Sequence, residues 1–213
     1  MRGLLLRVVL LLAVISLALT AWSQRHWLTT TIEQLHVSQR RSGPAPDLAT
    51  YQTLSTDLEE HRKRLGQSYL KASIGPEQED LLAQTRELLQ MSLPRLMRCW
   101  LGTPWDFNGT AHEPGTGKVA CGYFVSSVLQ DAGFEVEWAR LAQQASQNIL
   151  GTFLPPEKMR IRVGMDYDAF LQEVLLSGPG IYIVGLDSHV AFLVITSSRE
   201  IRFIHSSGSS PYC

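Results

Sequence analysis

The sequence predicts an α+β fold: a helical N-terminal segment, then a domain in which one helix packs on an antiparallel sheet. Three observations predict it. Apolar residues recur at three- and four-residue intervals before residue 98. A second such pattern opens at Cys121. Three β-rich runs then follow one another between residues 180 and 205, with short connections. The 213 residues, 45% of them hydrophobic, suffice for one globular domain with extensions.

The elements follow in chain order as three parts: 1–23, 24–98 and 99–213. In the first, Arg2 and Arg7 precede an apolar run from Val8 to Ala21, broken only by Ser16 and Thr20. A basic start followed by such a run is an export signal. Ala21 and Ser23 are the small residues a signal peptidase reads, which places cleavage before Gln24. The alternative is a retained membrane anchor over residues 4–22. Either way the protein is expected in the periplasm or cell envelope.

The second part reads as helical and polar. Residues 24–41 suit one helix, which the glycine and two prolines of residues 42–46 break. Asp47 caps a stretch through Lys71, with Leu48, Tyr51, Leu54, Leu58, Leu65 and Tyr69 recurring at helix-like intervals. Gly75 and Pro76 start another, where Glu77, Glu79 and Asp80 suit the positive end of the helix dipole. Leu81, Leu82, Leu88, Leu89, Leu93 and Leu96 fall on its apolar face. Packing, or spacing the following domain from a membrane, is the expected role.

In the third part, Phe124, Val125, Val128, Leu129 and Ala132 mark an amphipathic helix that Gly133 ends. Residues 139–149 read as one further helical piece, ahead of Pro155 and Pro156. Residues 180–185, 189–195 and 201–205 read as strands of a meander.

Charge and cysteines narrow the function. Nineteen basic residues against 20 acidic leave a formal charge of −1, so no nucleic-acid partner is expected. Three cysteines (Cys99, Cys121, Cys213) are an odd count without any C-x-x-C. A Cys99–Cys213 disulfide is one arrangement that leaves Cys121 free. His26, His36, His61 and His112 have no ligand spacing, and neither metal nor organic cofactor is expected.

Cys121 opens its helix behind a loop rich in glycine and polar residues. A thiol there meets the positive end of the helix dipole, which favours the thiolate that a nucleophile requires. The bland alternative is a packed free cysteine. His189 begins a β-rich run, where a neutral imidazole can take a thiol proton. His205, at the end of the next strand, is placed to orient it. His189 also reads as a surface loop histidine, and His205 as an ordinary strand-edge residue.

The order Gly102-Thr103-Pro104-Trp105-Asp106-Phe107-Asn108-Gly109, Cys121 opening a helix, Ser188-His189-Val190 and Phe203-Ile204-His205-Ser206-Ser207 resembles the NlpC-type cell-wall peptidases. The resemblance covers roughly residues 95–210. It implies a papain-like cysteine hydrolase fold, with Cys121 as nucleophile, His189 as base and His205 orienting His189. The activity it implies is cleavage of amide bonds in peptidoglycan stem peptides. The chain departs from the family pattern at Trp105 (tyrosine), Asn108 (glycine), Ala120 (an acidic residue) and Gly122-Tyr123 (Ser-Gly). Residues 135–168 read as an insertion, and Ser206 to Cys213 leave little room for the closing strands such a domain usually has. Two other readings share these residues: an inactive papain-like envelope binding module, and an acyltransferase using the same thiol.

Overall fold

The computed structural model describes residues 44–208. The expected export segment, the helix expected over 24–41 and Cys213, with the disulfide expected of it, lie outside the described residues. Residues 45–208 belong to one compact unit. No helix among the described residues is long and apolar enough to cross a membrane.

Helix α1 runs over Leu48–Lys71 and α2 over Pro76–Cys99. The Asp47 carboxylate accepts the Thr50 N–H at 3.0 Å and so caps α1 as expected. Gly75, at φ +118°, makes the turn that lets Pro76 open α2. The pair forms a hairpin whose open ends meet where the Asp47 N–H donates to the Cys99 carbonyl at 2.9 Å. Its buried side chains include Tyr51 and Leu58 from α1, with Leu93, Leu96 and Met97 from α2.

Helix α3 covers Cys121–Asp131. Its extended N-cap residue is Ala120, and Gly133, at φ +90°, turns the chain away at the other end. Phe124, Val125, Val128 and Leu129 are buried as the pattern requires. Strands β1 (Gly180–Leu186), β2 (His189–Ile195) and β3 (Ile201–Ile204) form one antiparallel sheet in that order. The described chain is therefore α+β.

The core crosses the seam expected between residues 98 and 99. Edge-to-face ring pairs run from Tyr51 to Trp100 (5.8 Å), Trp100 to Phe124 (5.6 Å) and Phe124 to Phe192 (5.9 Å). One apolar cluster thus contains side chains of α1, α2, α3 and β2. Such buried aromatics dominate core energetics.

Two local readings need correction. Residues 139–149 are not one helix: α4 (Trp138–Ala142) and α5 (Ser146–Phe153) are separated at residues 143–145. The break lets the Ala142 carbonyl turn onto α3, so tertiary contact overrides local propensity. The pattern reading also passes over α6 (Tyr167–Leu176), which Asp166 caps by accepting the Asp168 and Ala169 N–H groups.

Candidate active site

Cys121 is the first residue of α3, and its half-buried side chain packs against the core cluster. Ala120 offers no capping side chain, so no side chain takes the first-turn N–H groups. The backbone leading into the helix is held by a neighbouring loop. Val119 bridges both Trp105 and Thr110, its N–H donates to the Pro104 carbonyl, and the Ala120 N–H donates to the Gly109 carbonyl, both at 2.9 Å. Gly109 is required by this approach: a Cβ there would lie 2.6 Å from backbone atoms of Lys118 and Val119. The exposed pair Lys118–Asp106 (3.0 Å) closes the same loop. A polar cleft of about 520 Å³ lies along it, with Asn108, Thr110 and His112 in its wall.

His189 opens β2 and pairs in register with Leu186 across a two-residue turn. His205 lies one residue beyond β3. The two imidazoles meet: His189 Nε2 is 3.0 Å from His205 Nδ1, with the rings perpendicular at 89°. Phe203 flanks both rings. Burial holds His189 below the usual histidine range, and the charge of His205 adds to this. Burial does the same to His205. Both rings therefore favour the neutral form, in which each nitrogen pair contains one donor and one acceptor.

Of the three residues singled out in the sequence, the histidines are joined by this hydrogen bond. The Cys121 thiol has no hydrogen bond to either among the described residues. What ties the halves together is Ser206, whose hydroxyl donates to the Val119 carbonyl at 2.9 Å, two residues ahead of Cys121. Trp105, 40% exposed where the family pattern has tyrosine, lies with its ring against the Gly208 backbone. Sequence reasoning missed Ser206 as a tether, although it follows a histidine already singled out.

It also missed the covering of α3 by the stretch read as an insertion. Gln143 Nε2 donates to the Tyr123 hydroxyl at 2.9 Å, and the Trp138 indole N–H donates to buried Ser127 at 2.8 Å. The departures Gly122 and Tyr123 are the two residues this stretch touches first. Among the described residues no three His, Cys, Asp or Glu side chains are grouped to hold a metal ion. Comparison with protein-family models, curated proteins and solved structures gave no match.

Proposed function

We propose that this protein is a cysteine peptidase or amidase with Cys121 as nucleophile, His189 as base and His205 orienting His189. The observation that carries the reading is the 3.0 Å bond between His189 Nε2 and His205 Nδ1. For Nδ1 of His189 to accept a thiol proton, Nε2 must carry the hydrogen and donate to His205. His205 then carries its own hydrogen on Nε2. The bond accommodates the tautomer a base needs, the role the third member plays in other nucleophile–base pairs.

The chemistry runs through an acyl-enzyme. The thiol proton passes to His189 Nδ1 as the sulfur attacks the scissile carbonyl carbon. Uncapped N–H groups at the start of α3 are the natural donors to the oxyanion. The C–N bond breaks, and His189 returns its proton to the leaving amine. Water then attacks the thioester, giving a proton to His189. As the C–S bond breaks, the thiol regains that proton. Resemblance to the cell-wall peptidases suggests amide bonds of peptidoglycan stem peptides as substrate, and the basic-then-apolar N-terminus suggests an exported protein.

One observation favours the second reading, an inactive envelope binding module: the Cys121 thiol makes no hydrogen bond to His189. Catalytic contacts are often long in an empty site and tighten around substrate. Iodoacetamide labelling against pH, read by mass spectrometry, decides between the two. Cys99, buried and with its thiol pushed up by burial, is the internal control. Selective labelling of Cys121 at neutral pH, lost in His189→Ala, supports the hydrolase. Labelling indifferent to His189 sinks it.

A further inference from the structure

We infer that residues 138–153 are a strap that sets the spacing between the Cys121 thiol and the His189 imidazole, with Ser146 as a positioning residue. The inference rests on the hydrolase reading above.

The strap holds two places. The first is the start of α3. A Cβ at Gly122 would lie 2.1 Å from the Ala142 carbonyl oxygen, so this carbonyl sits directly on the residue after the nucleophile. Gln143 bonds the Tyr123 hydroxyl one residue further on. The Tyr123 ring packs edge-on to Trp138 at 5.0 Å. The second place is the tip of the β1–β2 hairpin. The Ser146 hydroxyl donates to the Leu186 carbonyl at 2.7 Å. A Cβ at Gly185 would meet Ser146 Cβ and Oγ at 2.9 Å and Leu150 Cδ1 at 3.0 Å. Leu186 is the register partner of His189. Gln144 and Ala145 alone separate the two grips, and Leu141 and Ile149 anchor the strap in the core on either side.

The rest of the fold supplies one further tie, on the other side of the site: His189 bonds His205, and the next residue, Ser206, bonds the Val119 carbonyl. Phe124 against Phe192 fixes the body of α3 on β2. The hairpin tip lies beyond that packing, with Leu186 49% exposed and both turn residues exposed. Without the strap, the β1 side of the tip would lose its hold on the start of α3, and His189 would keep only its strand pairing and its contacts with His205 and Phe203. A misplacement of roughly 1 Å between reacting groups costs about 100-fold.

The test measures His189-dependent alkylation of Cys121 in the whole chain, with Ser146→Ala at one grip and Tyr123→Phe at the other. Tyr123→Phe keeps the ring on Trp138 and removes only the hydroxyl, so it serves should Ser146→Ala fail to fold. The expected result is an alkylation rate about 10- to 100-fold lower at neutral pH in each variant. In the His189→Ala background the same substitutions are expected to lower the rate no further, because they act through His189. If the wild-type rate depends on His189 and neither variant changes it, the strap is overturned and the hydrolase stands. If the variants slow labelling equally without His189, their role is merely structural and the strap is again overturned. A wild-type rate indifferent to His189 overturns the hydrolase reading, and the strap with it.

Discussion

Gly122 sits inside a helix, where glycine is ordinarily a poor choice. Replacing it by alanine would gain about 1 kcal/mol of helix propensity at an unencumbered position. Here the new methyl meets a backbone oxygen at 2.1 Å, so the main chain at the end of α4 must shift to admit it. Forcing a methylene into filled space costs about 1–3 kcal/mol. Gly122→Ala is therefore expected to be destabilising, read as a lower urea midpoint; a raised midpoint would show that α4 yields freely. The histidines give a prediction of the opposite kind, since they act through protons. Both are held below the usual histidine range in the folded chain, His189 by burial and then by His205, and His205 by burial. Unfolded, they bind protons at about pH 6.5. Between that value and their lower folded values the unfolded chain holds more protons, so stability rises with pH across the window. The contribution is complete above about pH 6.5 and drains as the pH falls below it. His205→Asn is expected to shrink the stability difference between about pH 7.5 and about pH 5. An unchanged difference, measured by urea denaturation, would assign the acid sensitivity elsewhere.

The helices meet through one polar contact as well as through apolar packing. The Tyr51 hydroxyl of α1 donates to Asp131, the last residue of α3, at 2.6 Å. Tyr51 is 1% exposed, and burial pushes the Asp131 carboxyl above the usual carboxylate range. The tyrosine's hydrogen bond works against that rise. Tyr51→Phe would leave the carboxyl half-buried without this partner, a loss of about 1–3 kcal/mol. The expected signature is a lower urea midpoint with an unchanged denaturant slope, since no surface is newly exposed. A midpoint within error of wild type would mean that water replaces the hydroxyl at no cost. The elements that the sequence made legible are those with chemical punctuation. Asp47, Gly75-Pro76 and Gly133 mark ends of α1, α2 and α3, and the three β-rich runs became β1, β2 and β3 nearly residue for residue. Where the apolar pattern is weak the reading failed, even with a capping residue such as Asp166 present. Helix α6 has no fully buried side chain, so its pattern lacks a sharp apolar face. Helices α4 and α5 are parted by what they touch, which no local pattern encodes.

At the scale of the whole molecule, periodicity shows which face of a helix is apolar but not what covers it. The α1–α2 hairpin therefore read as a separable segment, whereas Tyr51, Leu58, Leu96 and Met97 lie in one cluster with Phe124, Val128 and Phe192. The site shows the same division. The residue types of Cys121, His189 and His205 were legible, and the hairpin register that joins the two histidines followed from β2 and β3. The tethers through Ser206 and Ser146 were not, because each bonds a carbonyl far away in sequence. A shared core makes a definite statement about unfolding. If α1 and α2 complete the core, the hairpin cannot open while α3 and β2 stay folded, since opening would expose Phe124 and the ring chain that runs through it. Native-state hydrogen exchange is then expected to give the buried amides of residues 93–97, 124–129 and 190–195 one common opening free energy, equal to that of global unfolding. Residues 160–166, exposed throughout and including Val163 at 92%, should exchange far earlier. A lower, separate opening energy for the hairpin would make it an appendage rather than part of the core. Removing it would then leave a folded α3 and sheet, with the histidine pair intact.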